Sequence, residues 1–360
     1  MYEFRADDVQ PAGDHLLEEL TERGWTQAEF AGILGRPVQF LSEIINGKKE
    51  ITRESAAQIG AALGTSAEYW LKWQDRYHLA LQAADPEAVA RLASVRRRVH
   101  LRESFPVSVL ARRGLIHASD PEQQERDILR LYRISSLDKR AMFELAARRS
   151  NVAEPMTQLQ EAWFVCVRDK AERLSVGGYR ARRFGELVHS LPQRIKSEDD
   201  FEWLPEAFAE VGVKLVHIDT FPTSKLDGCA FVVDGTPVIG LTGRGKRLDK
   251  VFFTLLHEAA HILLDHVGSK PIVDEADPDQ DPDPQIEDDA DKIAGEWLFG
   301  EGLPAAPTKI SEAWVESVAK SARVHPLLVV GRLQHDGVLS WRTSLVKGAP
   351  TVTRQLERWG

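Results

Sequence analysis

The stretch VFFTLLHEAAHILL, residues 251–264, constrains this chain more than any other feature. Its apolar residues occupy nearly every helical position, which predicts a helix buried on most of its sides. Two histidines and a glutamate inside such a helix are costly to bury unless something holds them. His257 and His261 stand four residues apart, so they stack on one helix face and can point at a single metal ion. Glu258 is rotated by about 100° from His257, which places it to reach a water rather than the metal. This is the HExxH arrangement of a zinc peptidase, with Glu258 as the catalytic base.

Such a site needs a third protein ligand and an open fourth position. His266 is nine residues after His257, whereas the pattern with a third histidine requires ten and a glycine where Leu264 stands. His266 instead suits the helix end, where a partly charged imidazole is favoured. Glu287 in IEDDADKIAGEWL is the better ligand. Glu287 and Asp291 share one face of a second helix. The first can bind zinc while the second accepts a hydrogen bond from a ligand imidazole and fixes its tautomer. Glu296 is the competing carboxylate. Between the two helices, IVDEADPDQDPDPQ is acidic and proline-punctuated, and reads as a surface loop near the site's mouth. A calcium loop of EF-hand type would need a glycine at its sixth position and would not tolerate Pro278, Pro282 and Pro284.

A chain of 360 residues exceeds one ordinary core and implies about two to three domains. No run of about 18 apolar residues exists and the start lacks a signal-peptide pattern, so a cytoplasmic protein that spans no membrane is expected. Cys166 and Cys229 each stand alone in apolar surroundings and read as buried small hydrophobes, leaving the metal to be held without thiolates. The net charge is −9. Residues 1–80 hold 8 basic and 13 acidic groups, residues 81–200 hold 22 and 17, and residues 201–360 hold 16 and 25. Only the middle third is basic.

Residues 14–82 predict five short helices. Thr26 with Glu29 forms a capping-box pattern, Gly24, Gly35 and Gly47 are stops, Pro37 suits a first turn, and Thr52 or Ser55 and then Ser66 begin further helices. Leu17, Leu20, Ala28, Ile33, Leu41, Ile44, Ile59, Leu63 and Leu71 are its expected core. Residues 83–200 read as helical and Arg-rich, with no catalytic constellation. After residue 200, KLVHID, GCAFVVD and TPVIGLTG predict three strands, followed by the HEAAH helix, the IEDDADKIAGEWLFG helix and a helical tail. TPVIGLTG is the expected edge along which an extended substrate would add. His325 and Arg244 are the groups considered for stabilising an oxyanion.

FTLLHEAAHILLDH, followed by E-x-x-A-D-x-I-A-x-x-W-L and by ARVHPLLVVGRLQHDGVL, resembles the ImmA/IrrE family of metallopeptidases over residues 205–340. Ile293 stands where that family usually has Phe. The resemblance implies cleavage of a partner repressor. Residues 26–80 resemble helix-turn-helix regulators of the Cro/repressor type, most closely HigA-like antitoxins. By that resemblance RPVQFLSEIING is the recognition helix, and Gln27, Arg36, Gln39, Ser42, Glu43, Lys48 and Lys49 face DNA. The domain's acidic balance removes part of the phosphate attraction, which two-fold pairing or the basic middle region would offset.

The expected architecture is multidomain: an all-α helix-turn-helix domain (1–82), a helical Arg-rich linker region (83–200), and an α+β zincin-like metallopeptidase domain with a helical tail (201–360). The expected function is a zinc-dependent endopeptidase fused to a DNA-binding regulator, with operator DNA, a helix-turn-helix substrate protein, a toxin and a second copy of the chain as partners. One alternative is a HigA-like antitoxin or autoregulator whose peptidase fold only senses a partner. Another is a structural zinc closed by a fourth ligand, which would leave Glu258 without a use.

Overall fold

The computed structural model describes residues 10–137, 156–267, 272–275, 284–300 and 302–359. The chain divides into two compact units, Met1–Val99 and His100–Gly360. Of the span 83–200, expected as a linker region, residues up to Val99 group with the first unit and those from His100 with the second. Among the described residues, no helix is long and apolar enough to cross a membrane.

The first unit contains α1 (Ala12–Glu22), α2 (Gln27–Leu34), α3 (Val38–Ile45), α4 (Arg53–Leu63) and α5 (Ala67–Ala84), and α6 (Pro86–Ser104) begins in it. The caps follow from side-chain chemistry. Thr26 and Glu29 exchange bonds in a capping box, Thr52 and Ser55 do the same, and Ser66 accepts from the Tyr69 N–H. Gly35 and Gly64 end α2 and α4 in the left-handed conformation. Pro37 is the N-cap of α3 rather than its first residue. Leu16, Leu20, Phe30, Ala31, Leu34, Leu41, Ile44, Ile59, Leu63 and Trp70 are buried together. Leu17, Ala28 and Ile33, expected in this core, are exposed. The neighbours Leu16 and Leu34 take the inward positions, a one-residue rotation that local spacing leaves open on short helices.

Among the described residues, the second unit has four strands: β1 (Lys214–His217), β2 (Leu226–Val233), β3 (Thr236–Leu241) and β4 (Ile272–Glu275). Their order is β1-β3-β2-β4, with β1 parallel to β3 and β2 antiparallel to both β3 and β4. Asp234 and Gly235 both have positive φ and close the β2–β3 hairpin. Alternation then sends Leu215, Ala230, Ile239 and Leu241 to one apolar cluster, and Val216, Cys229, Phe231 and Val238 to the other. The first cluster is completed by α10 (Ala181–Arg194), α11 (Leu204–Glu210), α12 (Leu248–Leu263), α13 (Pro284–Phe299), α14 (Glu312–Ala322), α15 (Pro326–His335) and the short α16 (Thr353–Leu356). The second is completed by α7 (Val107–Arg112), α8 (Pro121–Tyr132) and α9 (Gln158–Arg173). Cys166 and Cys229 are buried thiols, and burial pushes Cys166 up to about 12.

Two expectations are corrected. β3, the TPVIGL strand, is hydrogen-bonded on both sides and has no free edge for a substrate. Sequence reveals a strand but not its rank in the sheet, which depends on pairing distant in the chain. IVDE, expected within a polar loop, pairs with β2 as β4 because β2 offers it an unpaired backbone. Residues 276–283, with Pro278 and Pro282 of the calcium question, lie outside the described residues.

Candidate functional site

Helix α12 begins where the guanidinium of Arg247 bonds the Asp249 carboxylate, an acidic group in the first turn, and the Gln334 side chain. Its apolar faces meet the sheet and the surrounding helices, so its polar residues are carried inside. His257, Glu258 and His261 are all buried, Glu258 and His261 completely. Helix α13 packs against α12 with the small residues Ala290 and Ala294 fully buried, and its Glu287 is buried as well.

His257, His261 and Glu287 form a group that could hold a metal ion, each offering one ligand atom within 4.8 Å of the others. The Nε2 atoms of His257 and His261 are 2.9 Å apart. Glu287 Oε2 lies 2.9 Å from His257 Nε2 and 3.5 Å from His261 Nε2. Tetrahedral ligands at about 2.0–2.1 Å from zinc would stand roughly 3.3 Å apart, so the donor spacing fits such an ion. Glu287 Oε1 is buried with no hydrogen-bond partner among the described residues. Burial raises the Glu287 carboxyl, but bonds from His257 and then His261 outweigh it and bring it to about 2. Burial pushes the His261 imidazole below its ordinary value, which favours the neutral form a metal requires.

The outer ring nitrogens are also engaged. His257 Nδ1 lies 2.8 Å from Asp291 Oδ1, and His261 Nδ1 lies 3.1 Å from His266 Nδ1, just beyond the helix end. The structure therefore brings together His257, Glu258, His261, Glu287 and Asp291. Glu296 is exposed and is not part of the group. Glu258 rests against β2, where a Cβ on Gly228 would come within 2.4 Å of its Oε1. That contact was missed from sequence, although a glycine inside an apolar strand is a known mark of close approach. A pocket of about 570 Å³ opens on His257, Glu287 and Asp291, with Lys250 and Phe253 from α12 and Arg332 and His335 from α15 in its wall. Arg244 lines this pocket, beside Asp227. His325 does not; it is the N-cap of α15, accepting from the Leu327 N–H.

In the first unit, α2 and α3 are separated by only Gly35, Arg36 and Pro37. Gly35 takes the left-handed turn and Pro37 fixes the entry to the next helix. Residues 16–70 match the helix-turn-helix family. They are a helix-turn-helix domain.

The helix-turn-helix segment is similar to an addiction module antidote protein of the HigA family from Coxiella burnetii. Identity is 29%, covering 22% of this chain and 83% of that one, with a TM-score of 0.20. It is also similar to an antidote protein of a plasmid maintenance system from Nostoc punctiforme. Here identity is 32%, covering 25% of this chain and 97% of that one, with a TM-score of 0.22. No curated protein matches the chain. On the helix-turn-helix domain, Gln39, Lys48 and Lys49 are exposed, whereas Gln27, Arg36, Ser42 and Glu43 are half-buried. Arg36 is held by Gln58 and Glu54 of α4. Glu43 accepts from Gln39 and pairs with Lys49, whose ammonium sits 4.8 Å from the Phe40 ring centre.

Proposed function

We propose that this chain is a zinc-dependent endopeptidase joined to a DNA-binding helix-turn-helix domain, and that it cuts a repressor-type protein to control transcription. The observation that carries this reading is the burial of Glu258 against Gly228, beside the His-His-Glu group and its pocket. A metal site serving structure alone has no use for that carboxylate. His257 Nε2, His261 Nε2 and Glu287 Oε2 would hold the ion, which when bound supplies Lewis acidity toward a peptide carbonyl and a water. Glu258 takes the water's proton on its carboxylate and returns it to the leaving amine. Asp291 accepts from His257 Nδ1–H and so directs the Nε2 lone pair inward.

In the helix-turn-helix domain, Gln39 and Ser42 of α3 read base edges, and Lys48 and Lys49 meet phosphate. Two copies pair on the operator, which doubles the phosphate contacts of an acidic domain. The span 83–125 is helical over Pro86–Ser104 and Val107–Arg112, and Leu101, Phe105, Val107 and Leu110 are buried. It offers no extended strand, which favours a separate helix-turn-helix regulator over a second copy of this chain as the substrate.

The test mixes wild-type chain, a tagged Glu258→Gln copy and a candidate helix-turn-helix regulator supplied as a separate protein, with zinc and without. Zinc-dependent cutting of the regulator with an intact tagged copy is expected. If neither protein is cut at saturating zinc, the alternative stands: a HigA-like autoregulator or antitoxin whose second unit senses a partner such as a toxin. The helix-turn-helix match over residues 16–70 favours that alternative equally.

A further inference from the structure

The pocket at the His257 end of the site is lined by residues of three helices, Glu287, Asp291 and Leu298 of α13 among them. Lys250, Phe253, Thr254 and His257 of α12 form one wall, and Leu328, Gly331, Arg332 and His335 of α15 another. The Phe253 ring stands between two imidazoles, with its centre 6.5 Å from that of His257 and 6.1 Å from that of His335.

The charges in this pocket are not equally engaged. Asp291 and Glu287 are bonded to the imidazoles. Asp249 receives two bonds from Arg247, and Asp227 pairs with Arg244 at 3.4 Å, which also occupies that cation. Lys250 makes no ion pair among the described residues; its ammonium sits 4.6 Å from the ring centre of the exposed Trp341. Arg332 is ion-paired with Asp336 through Nε at 3.0 Å, which leaves its outer edge, Nη1 and Nη2, without a hydrogen-bond partner among the described residues.

Both cations are seated on glycines. A Cβ on Gly245 would lie 2.8 Å from Lys250 Cδ, and one on Gly295 would lie 2.6 Å from Arg332 Nη1. Gly295 is inside α13, where glycine weakens a helix, and it continues the face of Glu287 and Asp291 at four-residue intervals. With glycine at 295, the Arg332 guanidinium can lie against α13 beside the pocket.

We propose that Lys250 and Arg332 form a subsite of this pocket for a carboxylate side chain, an Asp or Glu of the peptide segment to be cut. The two open NH2 groups of Arg332 can each donate to one of a carboxylate's oxygens, and Phe253 and Trp341 flank the methylenes leading to it. The proposal rests on the peptidase reading for its substrate but not for its measurement.

The experiment uses the full chain with zinc and pairs of hexapeptides identical except for one Glu or Gln, placed in turn at each position. Two readouts are taken: the Glu-to-Gln ratio of cleavage rates, and the same ratio of affinities from polarisation of fluorescein-labelled peptides. The wild type should favour Glu at one position by about tenfold or more. That ratio should fall toward one in Arg332→Gln and in Lys250→Gln, and remain partly in Arg332→Lys. Because each ratio is internal to one variant, a general loss of folding does not imitate the result. Cleavage with no Glu preference at any position, or a preference surviving both Gln variants, would overturn the subsite and leave the peptidase reading intact. Glu-selective binding that needs Arg332, without any cleavage, would support the subsite and sink the peptidase reading instead.

Discussion

In the helix-turn-helix unit the polar groups of interest stand outside a closed apolar core, whereas in the second unit they lie within one. Gln39, Lys48 and Lys49 are exposed around α3 and can each be changed with little consequence for Leu41 and Ile44 beneath them. His257, Glu258, His261 and Glu287 are buried, and each leans on another or on the strand behind it. Exposed chemistry should therefore respond to substitution in small, separable steps. Buried chemistry should respond as a unit, because removing one partner strands the others in a poorly solvating interior.

The largest effect expected is on cleavage. Glu258→Gln should lower the rate constant by about 100- to 10,000-fold, the range for a lost general base. A single-turnover assay measures it, and a rate within threefold of wild type would remove Glu258 from the chemistry. Next is Gly228→Ala, which places a methyl only 2.4 Å from Glu258 Oε1. It should reduce cleavage by about tenfold or more, since displacing a catalytic group by an ångström is that costly, while zinc content is kept. Unchanged cleavage would show that Glu258 does not need its seat on β2.

A smaller effect belongs to the exposed side of the comparison. The double change Lys48→Gln and Lys49→Gln should weaken operator binding evenly across sequences and reduce the slope of log K against log salt by about two. Its melting temperature should stay close to wild type. A large drop in stability would break the contrast between the units.

The smallest effect concerns pH. Burial pushes the His217 imidazole below its ordinary value. The unfolded chain therefore takes up this proton near pH 6.5 while the folded chain does so only at lower pH. The stability this histidine contributes is complete above about pH 6.5 and is lost as pH falls through the folded value. Chemical denaturation at pH 7 and pH 5 should show that loss, and His217→Gln should lessen the difference. Burial lowers His261 and His325 in the same direction, so some pH dependence remains.

The same contrast explains what the sequence disclosed. Periodicity and capping residues located α2, α3 and α12 because those signals are local, and the i, i+4 spacing placed both histidines on one face. That Glu287 and Asp291 share one helical face was legible for the same reason, and the structure groups that face with the two histidines. The place of β3 in the middle of the sheet was not legible, nor was the pairing of IVDE with β2, since both depend on contacts between distant segments. The seat of Glu258 on Gly228 and the seat of Arg332 on Gly295 join residues 30 or more positions apart. Only the glycines themselves hinted at them. In the first unit spacing points to Leu17 and Ile33 where the neighbouring Leu16 and Leu34 face inward, because helices of 8 to 11 residues fix their inward face only weakly by spacing.

The central claim is that the buried group of the second unit holds a catalytic zinc, and zinc per chain tests it most directly. Elemental analysis of the purified full chain after zinc loading and removal of excess should give about one equivalent for the wild type and for Glu258→Gln. His257→Ala and His261→Ala should fall to background, and Glu287→Gln should retain far less than wild type. A wild-type chain without zinc, or zinc lost in Glu258→Gln yet fully kept in Glu287→Gln, would contradict the account.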